Sequence, residues 1–126
     1  MKNKREEGRP QVLSATTLIG DQVENPEGDD LGKIEDLVID IDKGRIAYAV
    51  LSFGGFLGMG DKLFAIPWDA VTIDLADKKC ILDMDKETLK NAPGFDKDNW
   101  PDMADQEWGT SIYEYYDVRP YWHSSR

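Results

Sequence analysis

A chain of 126 residues, 40% hydrophobic and 32% charged, suffices for one domain that buries about two thirds of its unfolded surface without disulfides or metal. Its formal net charge of −10 repels a phosphate backbone, and the only basic cluster, Lys2, Lys4, Arg5 and Arg9, is interleaved with Glu6 and Glu7, so no direct nucleic-acid partner is expected. No apolar run approaches the roughly 18 to 20 residues of a membrane span, and the lone Cys80 excludes an internal disulfide and the paired-cysteine metal sites.

In chain order, residues 1–12 read as a disordered charged arm in the cytoplasm, since charge is followed there by no apolar stretch of a signal peptide or anchor. Residues 13–84 read as a small β-barrel. A first short strand runs from Leu13 through Glu24 and ends at the turn Asn25-Pro26-Glu27-Gly28. From Gly32 to Ile41 the pattern is again β: Leu37, Ile39 and Ile41 share one face and Ile34 is out of phase with it, which predicts a bend or bulge between Ile34 and Leu37. Asp42-Lys43-Gly44-Arg45 is a tight turn.

The next two runs, Ile46 to Ser52 and Leu63 to Trp68, form the hairpin that governs the rest. Both carry apolar side chains at odd and even positions, so neither face can be the solvent face of an ordinary antiparallel hairpin, and each needs a cover. Pro67 marks the end of the second strand, because proline cannot donate to the ladder. Val71, Ile73 and Leu75 then alternate with polar residues, and Lys79 to Asp83 returns with Cys80 and Leu82 inward. About six strands joined by short turns imply a closed or nearly closed barrel.

Residues 85–126 form an acidic, aromatic-rich helical extension. Lys86 to Asn91 predicts one or two helical turns stopped by Pro93-Gly94, and Trp108, Ile112, Tyr115 and Tyr116 recur at helical spacing within Ala104 to Tyr116. These aromatics have no core of their own, whereas the hairpin has surplus apolar surface, so the tail is expected to pack on the hairpin's outer face. The competing cover is a second subunit, which makes a homodimer the simplest assembly.

Candidate chemistry is sparse. Gly55 to Lys62 spells the opening of a phosphate-binding loop, but Asp61 intrudes where Lys and Ser/Thr should follow and a strand replaces the helix, so it reads as a glycine-rich hairpin connection exposing Phe56, Leu57 and Met59. Asp29, Asp30, Asp36, Asp40 and Asp42 lack the twelve-residue calcium-loop pattern and read as solvated carboxylates. His123 lies near the end of the chain, and Cys80 has no histidine to activate it, so no nucleophilic constellation is present. No catalytic, cofactor-binding or metal-ligating residue is assigned. The candidate interaction surface is Tyr48, Val50, Phe56, Leu57, Met59, Phe64, Trp68, Trp108, Tyr115 and Tyr116.

The stretches Leu31 to Asp40, Gly44 to Val50 and Phe64-Ala65-Ile66-Pro67-Trp68 closely resemble the PRC-barrel family, over roughly Leu18 to Met84. That family is named for the cytoplasmic domain of the photosynthetic reaction centre H subunit and includes the C-terminal domain of a ribosome maturation factor. The resemblance implies a non-enzymatic, six-stranded barrel that serves as a protein-binding module. The tail Ala92 to Pro101 with Tyr115-Tyr116 looks like that of free-standing bacterial members, and neither a membrane helix nor a further barrel fits ahead of Leu18. The alternative role is a small-ligand or metal binder using a barrel mouth or an interface pocket.

Overall fold

The computed structural model describes residues 12–54 and 61–123. Six strands, β1 (Gln22–Glu24), β2 (Asp30–Asp40), β3 (Arg45–Gly54), β4 (Asp61–Pro67), β5 (Val71–Asp74) and β6 (Lys79–Leu82), form one sheet in the order β4-β3-β2-β1-β6-β5. All neighbours are antiparallel except β1 and β6, which run parallel through Val23↔Cys80 and Glu24↔Ile81. Among the described residues β4 and β5 do not pair, so the sheet is a curled half-barrel rather than a ring. Helices α1 (Ala15–Leu18), α2 (Lys86–Lys90) and α3 (Gln106–Tyr115) complete the order, with single 3-10 turns at Trp68–Ala70 and Tyr121–His123.

The hairpin β3–β4 is buried on both faces, as its unbroken apolar pattern requires. Cross-strand pairs sort the side chains: Leu51↔Phe64 and Ala49↔Ile66 share one face, Val50↔Ala65 and Ser52↔Leu63 the other. Tyr48, at 2% exposure, and Val50, at 0%, lie on the second face, where the tail covers Tyr48. Trp108 and Tyr113 of α3 bring their rings to 5.4 and 5.5 Å from that of Tyr48, and the Tyr113 hydroxyl donates to the Ala47 carbonyl at 2.7 Å. The tail also extends the sheet edge: Leu63 N–H donates to Phe95 O at 2.9 Å and Phe95 N–H to Leu63 O at 2.8 Å.

Local chemistry sets the ends of these elements. Asp85 caps α2 by accepting from Thr88 N–H at 2.7 Å, and Asp105 caps α3 by accepting from Glu107 N–H at 3.0 Å. Asn25, buried in the β1–β2 turn, accepts from Asp29 N–H at 2.8 Å and donates to the Met84 carbonyl at 3.3 Å, which ties the start of the sheet to its last strand. The register shift expected near Ile34 lies between Ile34 and Asp36.

Two local expectations need correction. Ala15–Leu18 is a helical turn, so the first strand is confined to Gln22–Glu24. The buried stripe of α3 is Gly109, Ile112, Tyr113 and Tyr116, while Trp108 and Tyr115 are only half-buried. A second register shift lies between Val38↔Tyr48 and Ile39↔Ile46, where the extra residue is Ala47 of β3. β2 therefore keeps its alternation, and the face of Leu37, Ile39 and Ile41 simply runs out from cover, Leu37 half-buried and Ile39 and Ile41 exposed.

Candidate interaction cleft

Where β2 runs out, Ile39 stands at 50% exposure, and Ile41, beyond the strand, reaches 82%. Isolated apolar residues on a surface are ordinary, but these two stand on the rim of a cleft of about 480 Å³. Its floor is Val38, Ala47 and Tyr48 of the sheet, and its far wall is Met103, the first turns of α3 and Trp122. Gly109 permits the close approach of that wall, since a Cβ there would lie 2.8 Å from the Tyr48 hydroxyl and 3.0 Å from Cη2 of Trp122. A glycine inside a helix costs roughly 1 kcal/mol relative to alanine, a cost offset here by the packing it allows.

Polar contacts fasten the end of the tail across the mouth of the cleft. The Tyr121 hydroxyl donates to the Asp40 carboxylate, and the Arg45 guanidinium carbon sits 3.9 Å from the centre of the Tyr121 ring. Arg45 in turn pairs with Asp69 at 3.0 Å. The hydrogen bond from Tyr121, with the amide of Lys43 second, holds the Asp40 carboxyl below its ordinary value of 3.8. As a depressed carboxylate, Asp40 supports the folded state above that value and ceases to do so as pH falls through its lowered one.

Tyrosine burial has the opposite sign. Burial pushes the Tyr48 hydroxyl up to about 12 and raises Tyr113, Tyr116 and Tyr121 further from the usual 10.0. Their support is complete below pH 10.0 and is lost as pH rises through the raised values, because the unfolded chain then ionises where the folded one resists. We therefore expect cooperative alkaline unfolding above pH 10.0, with tyrosinate absorbance and loss of tertiary circular dichroism rising together. Gradual tyrosine ionisation from pH 10.0 without unfolding would contradict the buried tail.

The residues singled out in the sequence separate by place. Tyr48, Val50, Phe64 and Tyr116 are buried within the chain, and Trp68, Trp108 and Tyr115 are half-buried, Tyr115 donating its hydroxyl to the Thr88 carbonyl at 2.6 Å. Phe56, Leu57 and Met59 lie outside the described residues. Tyr48 alone of the set lines the cleft. Sequence reasoning missed Ile39, Ile41, Met103 and Trp122 as its lining. The one available signal was Ile41 isolated between Asp40 and Asp42 at the entrance to a turn.

Cys80 is buried, and that burial, with Asp21 nearby second, lifts its thiol to about 11. Among the described residues no group of three or more His, Cys, Asp or Glu side chains could hold a metal ion, and no helix is long and apolar enough to cross a membrane. The Tyr116 hydroxyl and the Trp122 indole N–H are buried without a hydrogen-bond partner.

The sequence profile of the PRC-barrel domain matches residues 10–89. No curated protein matches the chain. A crystal structure of a protein described as a 16S ribosomal RNA processing protein, RimM, from Pseudomonas aeruginosa is similar at 22% identity, covering 66% of this chain and 50% of that one, with a TM-score of 0.43.

Proposed function

Because this chain belongs to the PRC-barrel domain family, we propose that it is a non-enzymatic protein-interaction or assembly module whose partner seats on the cleft beside Ile39 and Ile41. The observation that carries this reading is the placement of the two exposed isoleucines on the rim of an apolar-floored cleft. Among the described residues, Tyr48 of the hairpin is already covered by Trp108 and Tyr113 of α3. A partner that covers both isoleucines would gain at most roughly 1.5 to 3 kcal/mol from Ile41 and about half of that from Ile39, which is already at 50% exposure.

The experiment compares wild type with the Ile39→Asp/Ile41→Asp double variant by native mass spectrometry after gentle purification. Both positions are exposed, so the variant should keep its melting temperature within a few degrees. We expect wild type to carry a protein partner and the variant to lose it. Equal capture by both, or a small-molecule mass increment in place of a protein, overturns the reading.

A homodimer is a second reading, favoured by the same exposed pair. The hairpin's second face no longer calls for it, since the tail provides that cover. Two chains of net charge −10 repel, so self-association would strengthen with salt. Light scattering of the same samples at low and high salt checks it, and a monomer mass at both excludes it.

A further inference from the structure

Strand β2 is paired on both sides for only part of its length. On one side β3 accompanies it from Lys33 to Asp40. On the other, β1 pairs at Glu24↔Asp30 and Gln22↔Lys33, and the last backbone bonds are those of Ile34 with Gly20 and Asp21. From Glu35 to Asp40 no described strand lies along that side. Leu37 shows how the gap is managed: its backbone N–H is met by the carboxylate of the adjacent Asp36 at 2.8 Å. Such an edge is a template for another strand unless charge or twist blunts it.

We propose that Glu35–Asp40 of β2 receives an extended, basic segment of a partner protein by strand addition, with aliphatic side chains of that segment filling the cleft next to Ile39 and Ile41. Three features select this occupant. A backbone carbonyl of the incoming strand takes over the Leu37 N–H and releases the Asp36 carboxylate. Glu35, Asp36 and Asp42 are exposed along and just beyond this stretch against exposed Lys33 and Lys43, and the whole chain is acidic, so lysine or arginine on the incoming strand is matched and a second copy of this chain is repelled. The exposed isoleucines supply apolar contact for alternate side chains of one face. The proposal rests on the interaction-module reading and adds to it the mode of binding and the chemistry of the partner.

The probe is a short synthetic peptide alternating lysine and isoleucine, tested beside the same peptide N-methylated at alternate residues and beside a glutamate–isoleucine counterpart. Amide hydrogen exchange of the full chain is the readout. The lysine peptide should slow exchange across Glu35–Asp40 by roughly tenfold, and added salt should weaken the effect. The N-methylated and glutamate peptides should do nothing. If the N-methylated peptide binds as well, and Ile39→Asp/Ile41→Asp abolishes it, binding is by side chains alone: strand addition is overturned while the interaction module stands. Protection of the edge without peptide, in step with a dimer mass, overturns the basic occupant in favour of a second copy. No protection by any peptide overturns the strand-addition site.

Discussion

Deleting residues 93–126 should yield a chain that aggregates or binds a hydrophobic dye at temperatures where the full chain is folded. The tail contributes Ile112, Tyr113 and Tyr116 to the buried core, and Tyr113 is at 0% exposure. At roughly 1.5 to 3 kcal/mol for each side chain, their loss alone removes roughly 5 to 9 kcal/mol, comparable with the 5 to 15 kcal/mol that holds a typical domain together. The deletion also uncovers Tyr48 and leaves the Ala47 carbonyl without its tyrosine donor. A truncated chain that stays monomeric with an unchanged melting temperature would show that α3 is not the hairpin's cover. Trp108→Ala is expected to fall short of the 3 to 5 kcal/mol of a fully buried aromatic, because Trp108 is half-buried.

The second large effect belongs to Gly32→Ala. Gly32 sits at φ +104°, a backbone conformation that side chains rarely adopt, and a Cβ there would stand 2.1 Å from the carbonyl oxygen of Ser52. That oxygen belongs to the facing strand and cannot swing away like the end of a flexible side chain. β2 and β3 would have to part beside the Lys33↔Ser52 pair, next to Leu31 and Ile34 in the core. Strain at such a position costs of order 1 to 3 kcal/mol before any loss of packing, so we expect a total above about 3 kcal/mol and a fall in melting temperature of more than about 10 °C. Gly28, at φ +90° but with open space around it, is the control: Gly28→Ala should cost only the backbone strain. Similar melting temperatures for the two variants would place the Gly32 effect in backbone preference alone.

Much of this architecture is legible because apolar pattern and turn chemistry agree. The hairpin declares its double burial through apolar residues at every position, Pro67 ends its strand, and the phase slip at Ile34 announces a bulge. What escapes are features set by tertiary context. Ala15–Leu18 carries two β-branched threonines and could pass for a strand, yet it closes as a helical turn, with Gly20 N–H bonded to Ile34 O at 2.8 Å just beyond it. Tyr113 escapes because Trp108, Ile112, Tyr115 and Tyr116 centre the apparent stripe elsewhere, whereas the buried one passes through Gly109, whose missing side chain is what lets Tyr48 and Trp122 approach. The cleft was hidden for a related reason. The alternation of Leu37, Ile39 and Ile41 reads as one covered face, and the point along the strand where that cover stops, before Ile39, has no signature in the sequence.

The lone parallel pairing also carries a message about the order of assembly. β2, β3 and β4 form a meander of neighbouring segments, and β5 with β6 is a hairpin, so each can form from residues close in sequence. Among the described residues their ladders are joined only through β1, a three-residue strand that must hold β2 on one side and β6 on the other. Contacts between distant parts of a chain form slowly because closing the intervening loop costs entropy first. The union of β1 with β6 is therefore the late step of folding, and the β5–β6 hairpin should be the part of the sheet that opens first and exchanges its amides soonest.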